Sequence, residues 1–465
     1  MPVASNPRSA FLLGLDVGST VVKAVLFDLR GREIAADEAT VPVDRPYPGW
    51  VERDADATWR AAAAVIRRTV RGQAARIAAV GVTGCGNGAV LLDRSGRPIR
   101  AGILSSDTRA ADFLKPADEH RGQQAYAGQL PVLLAWLRDH EPAVARRLAS
   151  AVFWKDFVRA RLTGIVCSDF TDAGAAGLLD FPARRLRRRS AGLPPLRESL
   201  ASAGSVTAAA SASTGLQTGT PVFTGCIDCE AAALGSGVHA PGEVSVVAGT
   251  WSINQAYVSR PPRRGRHFLV NQSVEPGRWL VLEGSPSSAA NFDWARRVLG
   301  GDLDAERAVS AAARAPRTGL LFLPQVPTGH GVFVGLDSRH ERGGLLRAVM
   351  EGIVFAHRAH LDRLRASVGR VRRVTLAGGA ARNPIWCQLF ADGLGCPVDI
   401  PRGGQPGALG AALCAGVGAG LWPSVSDAQR ALVSRKKSYL PDPDRRAELA
   451  ADYVRYRRLS RALSL

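Results

Sequence analysis

Residues 11–31, FLLGLDVGSTVVKAVLFDLRG, constrain the fold of this chain more than any other stretch. Phe11 to Leu15 is an apolar run. Asp16, Gly18, Ser19 and Thr20 then interrupt it, VVKAVLFD carries the chain away as a second strand, and Gly31 marks the next turn. Such a hairpin sets one carboxylate at a strand end and follows it with small residues whose N–H groups can face an anion. That arrangement suits a metal-bound polyphosphate. A plain hairpin with Asp16 as a turn residue is the alternative.

A chain of 465 residues, 46% hydrophobic and with 49 glycines, predicts two or more α/β domains with sizeable cores. No apolar stretch is long and nonpolar enough to span a bilayer, and MPVASNPRSA at the start lacks the apolar core of a secretion signal. Seven cysteines without dense spacing point to reduced thiols and a cytoplasmic setting. The formal charge is +19, but only five of the 60 basic residues are lysines. The arginines are scattered through helical segments without interleaved aromatics or a nucleic-acid signature, so a specific nucleic-acid function is not expected.

Along the chain, PYPGWVERDADATW (46–59) is a loop carrying Glu52 before a helix over about 56–71. GVTGCGNG, containing Asn87, is a glycine-rich crossing where a small ligand can approach backbone closely, and ILSSDTRA adds Asp107. In GCIDCEAAALG, Asp228 falls at a strand-to-helix junction, either as a reactive carboxylate or as a helix cap. EVSVVAGTWSINQAYVS (243–259) repeats the opening pattern, with Gly249 and Thr250 in the turn. Two such hairpins imply two related halves with a boundary near residue 240 and one ligand bound between them. LAGGAARNPIWCQLF offers Gly378 and Gly379 as a flat surface for a purine, with Asn383 either pairing to the base or capping the following helix. GQPGALGAALCAGVGAG (404–420) reads as a buried helix packed against that nucleotide surface, and residues 427–465 as charged, helical and peripheral. His357 and His360 share a helix face as partly exposed packing residues, their spacing matching no zinc motif. Cys226 and Cys229 flank Asp228 as CxxC, a single pair that cannot complete a zinc shell.

These pieces describe phosphoryl transfer, and in combination LGLDVGSTVVKAVLFD, PGWVERD, GVTGCGNG, ILSSDTRA, WKDFVRARLTG, GCIDC, VVAGTWS and LAGGAARNPIWCQLFADGLG resemble the FGGY carbohydrate kinases. The resemblance implies an α/β fold of two ribonuclease H-like domains, of the actin/hexokinase/Hsp70 ATPase type, around a central cleft. It divides the chain into an N-terminal, mainly sugar-binding domain (11–240), a C-terminal, mainly nucleotide-binding domain (241–430) and a peripheral helical extension (431–465). It implies ATP and Mg2+, with phosphorylation of a sugar or polyol hydroxyl. Asp228 takes the place of the catalytic base and Asp16 that of the metal-orienting acid. Asp16, Gly18, Ser19, Thr20, Lys23, Gly249, Thr250, Gly378, Gly379 and Asn383 fall on the nucleotide-binding positions, and Asn87, Asp107 and Glu52 on the substrate-binding ones. A homodimer is compatible with the family, and no membrane partner is expected.

Departures from the family pattern concern the substrate. GCGNG places Asn87 where D-xylulose kinases usually carry a histidine, and Ser105 stands where a tryptophan is usual. The surroundings are most similar to the L-xylulose kinase branch, so a ketopentose such as L-xylulose is expected, with D-xylulose, ribulose, erythritol or another short polyol as alternatives. Asn87 and Asp107 would then pair with substrate hydroxyls. A non-catalytic nucleotide-binding scaffold or sensor is the alternative of another class; it has no need of a base at Asp228.

Overall fold

The computed structural model describes residues 10–114, 125–180, 185–186, 192–249, 251–262, 268–299, 301–324 and 331–463. The chain forms two compact units. The first comprises residues up to Gly237 with Ser259–Leu280 and Gly403–Ser434; the second comprises Val238–Val258, Val281–Arg402 and Arg435 onward.

The first unit is built on six strands: β1 (Phe11–Val17), β2 (Val21–Asp28), β3 (Glu33–Thr40), β4 (Ile77–Gly84), β5 (Ser202–Ser205) and β6 (Pro221–Phe223). Their order is β5-β6-β4-β1-β2-β3. β1 pairs antiparallel with β2 and parallel with β4, which pairs parallel with β6. β1 and β4 are covered on both faces, which is why they read as near-continuous apolar runs. β3 closes one edge with exposed Glu33 and Glu38, charges that discourage further strand pairing.

The Gly/Ala-rich helix Pro406–Gly418 belongs to this unit, not to the glycine turn at 378–379 that the sequence reading set it against. Gly14 and Gly81 are register partners on β1 and β4; a Cβ on either would lie 1.9 Å from the carbonyl oxygen of Ala408 or Ala411. The helix therefore rests directly on sheet backbone. Gly410 makes an equally close approach to the Ala231 carbonyl oxygen, so helix Asp228–Gly235 nests on the same small-residue surface. Small side chains here fix the depth at which Asp228 enters the site.

The second unit uses β7 (Glu243–Ala248), β8 (Ser252–Val258), β9 (Trp279–Ser285), β10 (Arg373–Ala377), β11 (Val398–Pro401) and β12 (Arg435–Tyr439), ordered β9-β8-β7-β10-β11-β12. β7 pairs antiparallel with β8 and parallel with β10, β10 parallel with β11, and β11 antiparallel with β12. The central pairings of the first unit are thus repeated. The segment after residue 430 is more than a peripheral extension, because β12 completes this sheet. Helix Pro443–Ala462 contributes Leu449, Tyr453 and Tyr456 to a core with Leu321, Leu323 and Phe355.

His357 and His360 are both buried in helix Arg342–Val368, deeper than expected. His357 Nδ1 lies 2.9 Å from Asn254 Oδ1 and Nε2 2.9 Å from Ser288 Oγ, and burial keeps the ring neutral. Among the described residues, no helix is long and apolar enough to cross a membrane.

Candidate active site

In the first unit the expected residues gather at the carboxyl ends of the parallel strands. Asp16 stands near the end of β1, where its register partners are Lys23 on β2 and Thr83 on β4. The turn Gly18–Thr20 closes with Gly18 N–H donating to the Val21 carbonyl (3.0 Å), and Ser19 and Thr20 are exposed. Arg53, wholly buried and 4.0 Å over the Trp154 ring, donates from Nη1 to the carbonyls of Gly18 (2.7 Å) and Ser19 (2.9 Å). That grip occupies the turn's acceptors and leaves its donors for an anion. Lys23 Nζ lies 3.2 Å from Glu38 and 3.4 Å from Gln405 Oε1.

Asp228 enters from the end of β6. Ile227 bridges in parallel to Gly84, and Thr83 Oγ1 donates to the Cys226 carbonyl at 2.7 Å, so the strand-to-helix turn is sewn to β4. Ile227 occupies the cap position of helix Asp228–Gly235, and Asp228 is its first helical residue. The Asp228 carboxylate accepts the Cys229 N–H at 2.6 Å instead of bridging to the N–H groups a cap would satisfy. Burial, and secondarily the charge of Asp16, push its pKa up to about 7; burial pushes Asp16 up to about 6, against the opposing effect of Lys23. All seven cysteines are free thiols, so the Cys226–Cys229 pair holds no disulfide.

Asn87 adopts a left-handed conformation (φ 60°) in the crossing after β4, a region Asn tolerates better than most residues. It is buried, and its Oδ1 has no hydrogen-bond partner among the described residues. Its neighbour Gly88 donates to the Gly128 carbonyl at 2.9 Å and packs where a Cβ would meet the Ile103 carbonyl oxygen at 2.3 Å. Tyr126 is close enough to feel the charge of Asp228 and lies beside the Asn87 side chain, while its ring stacks on Phe268 with centroids 6.5 Å apart. Asp107 and Glu52 are brought together, but around arginine. Asp107 accepts from Val51 N–H (2.6 Å) and from Arg109 Nε (2.9 Å) and Nη2 (2.8 Å). Glu52 accepts from Arg109 Nη2 (2.7 Å) and from Arg100, and Arg109 stacks 3.6 Å from the Trp50 ring.

In the second unit, Val247 on β7 pairs in register with Ala377 on β10, so Gly249 and the Gly378–Gly379 turn follow neighbouring strand ends. Gly378 has φ 88°, and a Cβ there would lie 2.6 Å from the Ala248 carbonyl oxygen; Gly379 faces open space. Asn383 caps helix Pro384–Leu394, its Oδ1 accepting from Ile385 N–H (2.9 Å) and Trp386 N–H (3.4 Å). Thr250 lies outside the described residues.

Comparison with known proteins places both halves. Residues 11–235 match the N-terminal domain of the FGGY family of carbohydrate kinases and residues 244–419 its C-terminal domain. The chain belongs to the FGGY family. It is 31% identical to the L-xylulose/3-keto-L-gulonate kinase of Escherichia coli (strain K12), with 97% of each chain covered. It is 32% identical to a probable L-xylulose kinase of Pasteurella multocida (strain Pm70), covering 97% of this chain and 99% of the other. The crystal structure of xylulose kinase from Rhodospirillum rubrum superposes with a TM-score of 0.89 at 27% identity, covering 98% of this chain and 99% of that one. The fold is therefore the two-domain α/β fold of the actin/hexokinase/Hsp70 type, and the protein is a carbohydrate kinase.

Several residues of this FGGY kinase escaped the sequence reading. Tyr126 and Phe268 are far apart in sequence and carry no motif. Arg53 was visible only as part of PGWVERD. Gly407, hidden in a uniformly small helix, sits where a Cβ would meet Asp16 Oδ2 at 2.6 Å. Asp16 supplies hard carboxylate oxygens, and Gly407 leaves room beside it, so the local residues fit an oxygen-preferring divalent cation such as Mg2+.

Proposed function

We propose that this kinase transfers the terminal phosphoryl group of ATP to a hydroxyl of a ketopentose, with L-xylulose the favoured acceptor. The observation that carries the kinase chemistry is the pair Asp16–Asp228 at the carboxyl end of one sheet, with Asp228 raised to about 7. A carboxylate of that basicity near neutral pH matches a general base that takes a hydroxyl proton as the oxygen attacks phosphorus.

Asp228 accepts the proton, and the Cys229 N–H holds its carboxylate. Asp16 would hold hydrated Mg2+, which when bound neutralises charge on the transferring phosphate. The exposed turn Gly18–Thr20 and Lys23 offer donors to phosphate. In the second unit, Gly249, Thr250, Gly378 and Gly379 are assigned to the nucleotide, with Asn383 holding the adjacent helix. Asn87, through its unpartnered Oδ1, and Tyr126 are assigned to acceptor hydroxyls. A site that hydrogen-bonds a hydroxyl discriminates strongly against analogues lacking it. Asp107 and Glu52, engaged by Arg109, are assigned to shaping the acceptor pocket with Trp50.

The names of the relatives support the sugar assignment, and one adds a second acceptor type, the sugar acid 3-keto-L-gulonate. ADP release should be measured with L-xylulose, D-xylulose, L-ribulose, D-ribulose, 3-keto-L-gulonate, erythritol, xylitol and glycerol. The highest kcat/KM is expected for a ketopentose. A higher value for glycerol or a tetritol would reject the ketopentose while leaving the kinase chemistry intact.

A further inference from the structure

Beneath the base lies a charged network with no solvent access. Lys155 Nζ contacts Asp156 (2.6 Å), Asp172 (2.9 Å) and Asp169, and Arg159 Nη1 contacts Asp156 at 2.9 Å. All five side chains are wholly buried. The three carboxylates lie close enough together to resemble a metal site, but the Lys155 ammonium occupies their common focus. Burying so many ions carries a desolvation cost that a well-packed apolar cluster avoids, and such a cluster is often as stable or more so.

The network is tied to the segment that delivers Asp228. Arg159 Nη1 donates to the Thr224 carbonyl at 2.6 Å. Asp169 Oδ1 accepts the Thr171 N–H at 2.8 Å and also the Thr171 hydroxyl. The same Thr171 oxygen accepts the Ile227 N–H at 2.9 Å. Ile227 is the cap residue whose torsions set the entry angle of the helix, and Asp228 is the next residue. A continuous chain therefore runs from Lys155 through Asp169 and the Thr171 hydroxyl to the peptide group one residue from the base.

We propose that Thr171 is a positioning residue for phosphoryl transfer, its hydroxyl coupling the buried Lys155–Asp169 pair to the Ile227 N–H and thereby fixing the direction of the Asp228 carboxylate. The inference rests on Asp228 being the base. Thr171 is wholly buried and acts through the backbone. Thr171→Val keeps the shape but removes both hydrogen bonds, and Thr171→Ser restores the hydroxyl.

The test measures kcat and sugar KM for both variants and for Asp228→Asn, with active-site concentration taken from calorimetric sugar-binding stoichiometry. A misplacement of about 1 Å at a reacting group can cost roughly a hundredfold, so Thr171→Val should lower kcat per site by about 10- to 100-fold. Its sugar KM should stay within about threefold, and Thr171→Ser should recover kcat to within about threefold of the parent. A purely structural role would lower the number of binding-competent sites and leave kcat per site unchanged. That outcome overturns the inference, as does a loss that Ser fails to rescue. If Thr171→Val yields no folded protein, Thr171→Ala is judged by the same criteria. Full turnover in Asp228→Asn would reject the base itself. A disabled Asp228→Asn beside an unaffected Thr171→Val would reject the positioning role alone.

Discussion

Asp16 near the end of β1 and Asp228 beyond the end of β6 are separated by one strand, β4, and the charge of Asp16 raises the pKa of Asp228. With strands about 4.8 Å apart, the two backbone positions are roughly 10 Å from each other, near enough for their side chains to address one bound group. The like charge and the surrounding burial act in the same direction on Asp228, opposed only by the Cys229 N–H. Burial, with Asp16 adding to it, thereby brings Asp228 toward neutral pH, where the proton acceptance proposed for it would be most effective.

The first prediction is a pH profile. As the proposed base, Asp228 must be ionised to act, so kcat/KM for the sugar should rise with pH through an acid limb. In the metal-free protein burial and Asp16 hold this group at about 7, and in metal-free Asp16→Asn, where the repulsion is gone, Asp228 followed by infrared or NMR titration should ionise at lower pH. An unmoved titration would show that Asp16 does not act on Asp228.

The same shift makes a stability prediction of opposite sign. Asp228 has a folded pKa above the usual carboxylate value, so its ionised form burdens the native state. Below about pH 3 the group is largely neutral folded and unfolded, and Asp and Asn should be equivalent. As pH rises toward 7 the penalty grows, then stays constant. Asp228→Asn should therefore be more stable than the parent at pH 8, by about 1–3 kcal/mol after allowing for residual solvation. Chemical denaturation at pH 3 and pH 8 reads the difference directly.

Turnover should move the other way. General-base catalysis commonly supplies about 10²–10⁴-fold, so Asp228→Asn should lose at least about a hundredfold in kcat while sugar and ATP bind within severalfold of the parent. Asn caps helices about as well as Asp, so a mere capping role would leave kcat nearly intact. Saturating kinetics beside calorimetric binding separates the two.

How far the sequence revealed this protein depends on where each signal resides. The opening hairpin was legible because the apolar run, the carboxylate and the small turn residues are contiguous, and the structure places them as β1, turn and β2. Asp228 was legible by its place between strand and helix. Thr171 was not, and Lys155 was legible only within WKDFVRARLTG, since neither residue type nor periodicity shows which polar side chains are buried against one another. Helix Pro406–Gly418 is apolar on every side and so carries no directional signal; the Gly14–Gly81 register pair shows where it packs. The C-terminal helix looked peripheral because charge dominates it. Leu449, Tyr453 and Tyr456, spaced four and three apart, were the apolar stripe to be found.

Metal dependence should separate Asp16 from Asp228. Asp16→Asn removes a hard anionic ligand, so the Mg2+ concentration for half-maximal rate should rise several-fold, alongside a slower transfer. Asp228→Asn should leave that concentration close to the parent value. A magnesium titration at saturating sugar and ATP gives both numbers, and equal responses in the two variants would remove the distinction between orienting acid and base.

Two glycines of one helix give the sharpest contrast between function and stability. A Cβ at Gly407 would lie 2.6 Å from Asp16 Oδ2, the free end of a side chain that can swing away. Gly407→Ala should therefore displace the Asp16 carboxylate at little cost to the fold, and the gain in helix propensity, up to about 1 kcal/mol, offsets part of that cost. Its thermal midpoint should remain near the parent's, while kcat falls about tenfold or more and the Mg2+ requirement rises, a loss on the scale expected for a misplaced charged group. A Cβ at Gly410 would instead lie 1.9 Å from the Ala231 carbonyl oxygen, backbone that cannot yield without separating two helices. Gly410→Ala should destabilise the protein by about 2 kcal/mol or more, as overpacking of a tight interface does. Thermal unfolding and magnesium kinetics on both variants would show the effects dissociated; a Gly407→Ala protein with unchanged kinetics would mean that the space beside Asp16 serves packing alone.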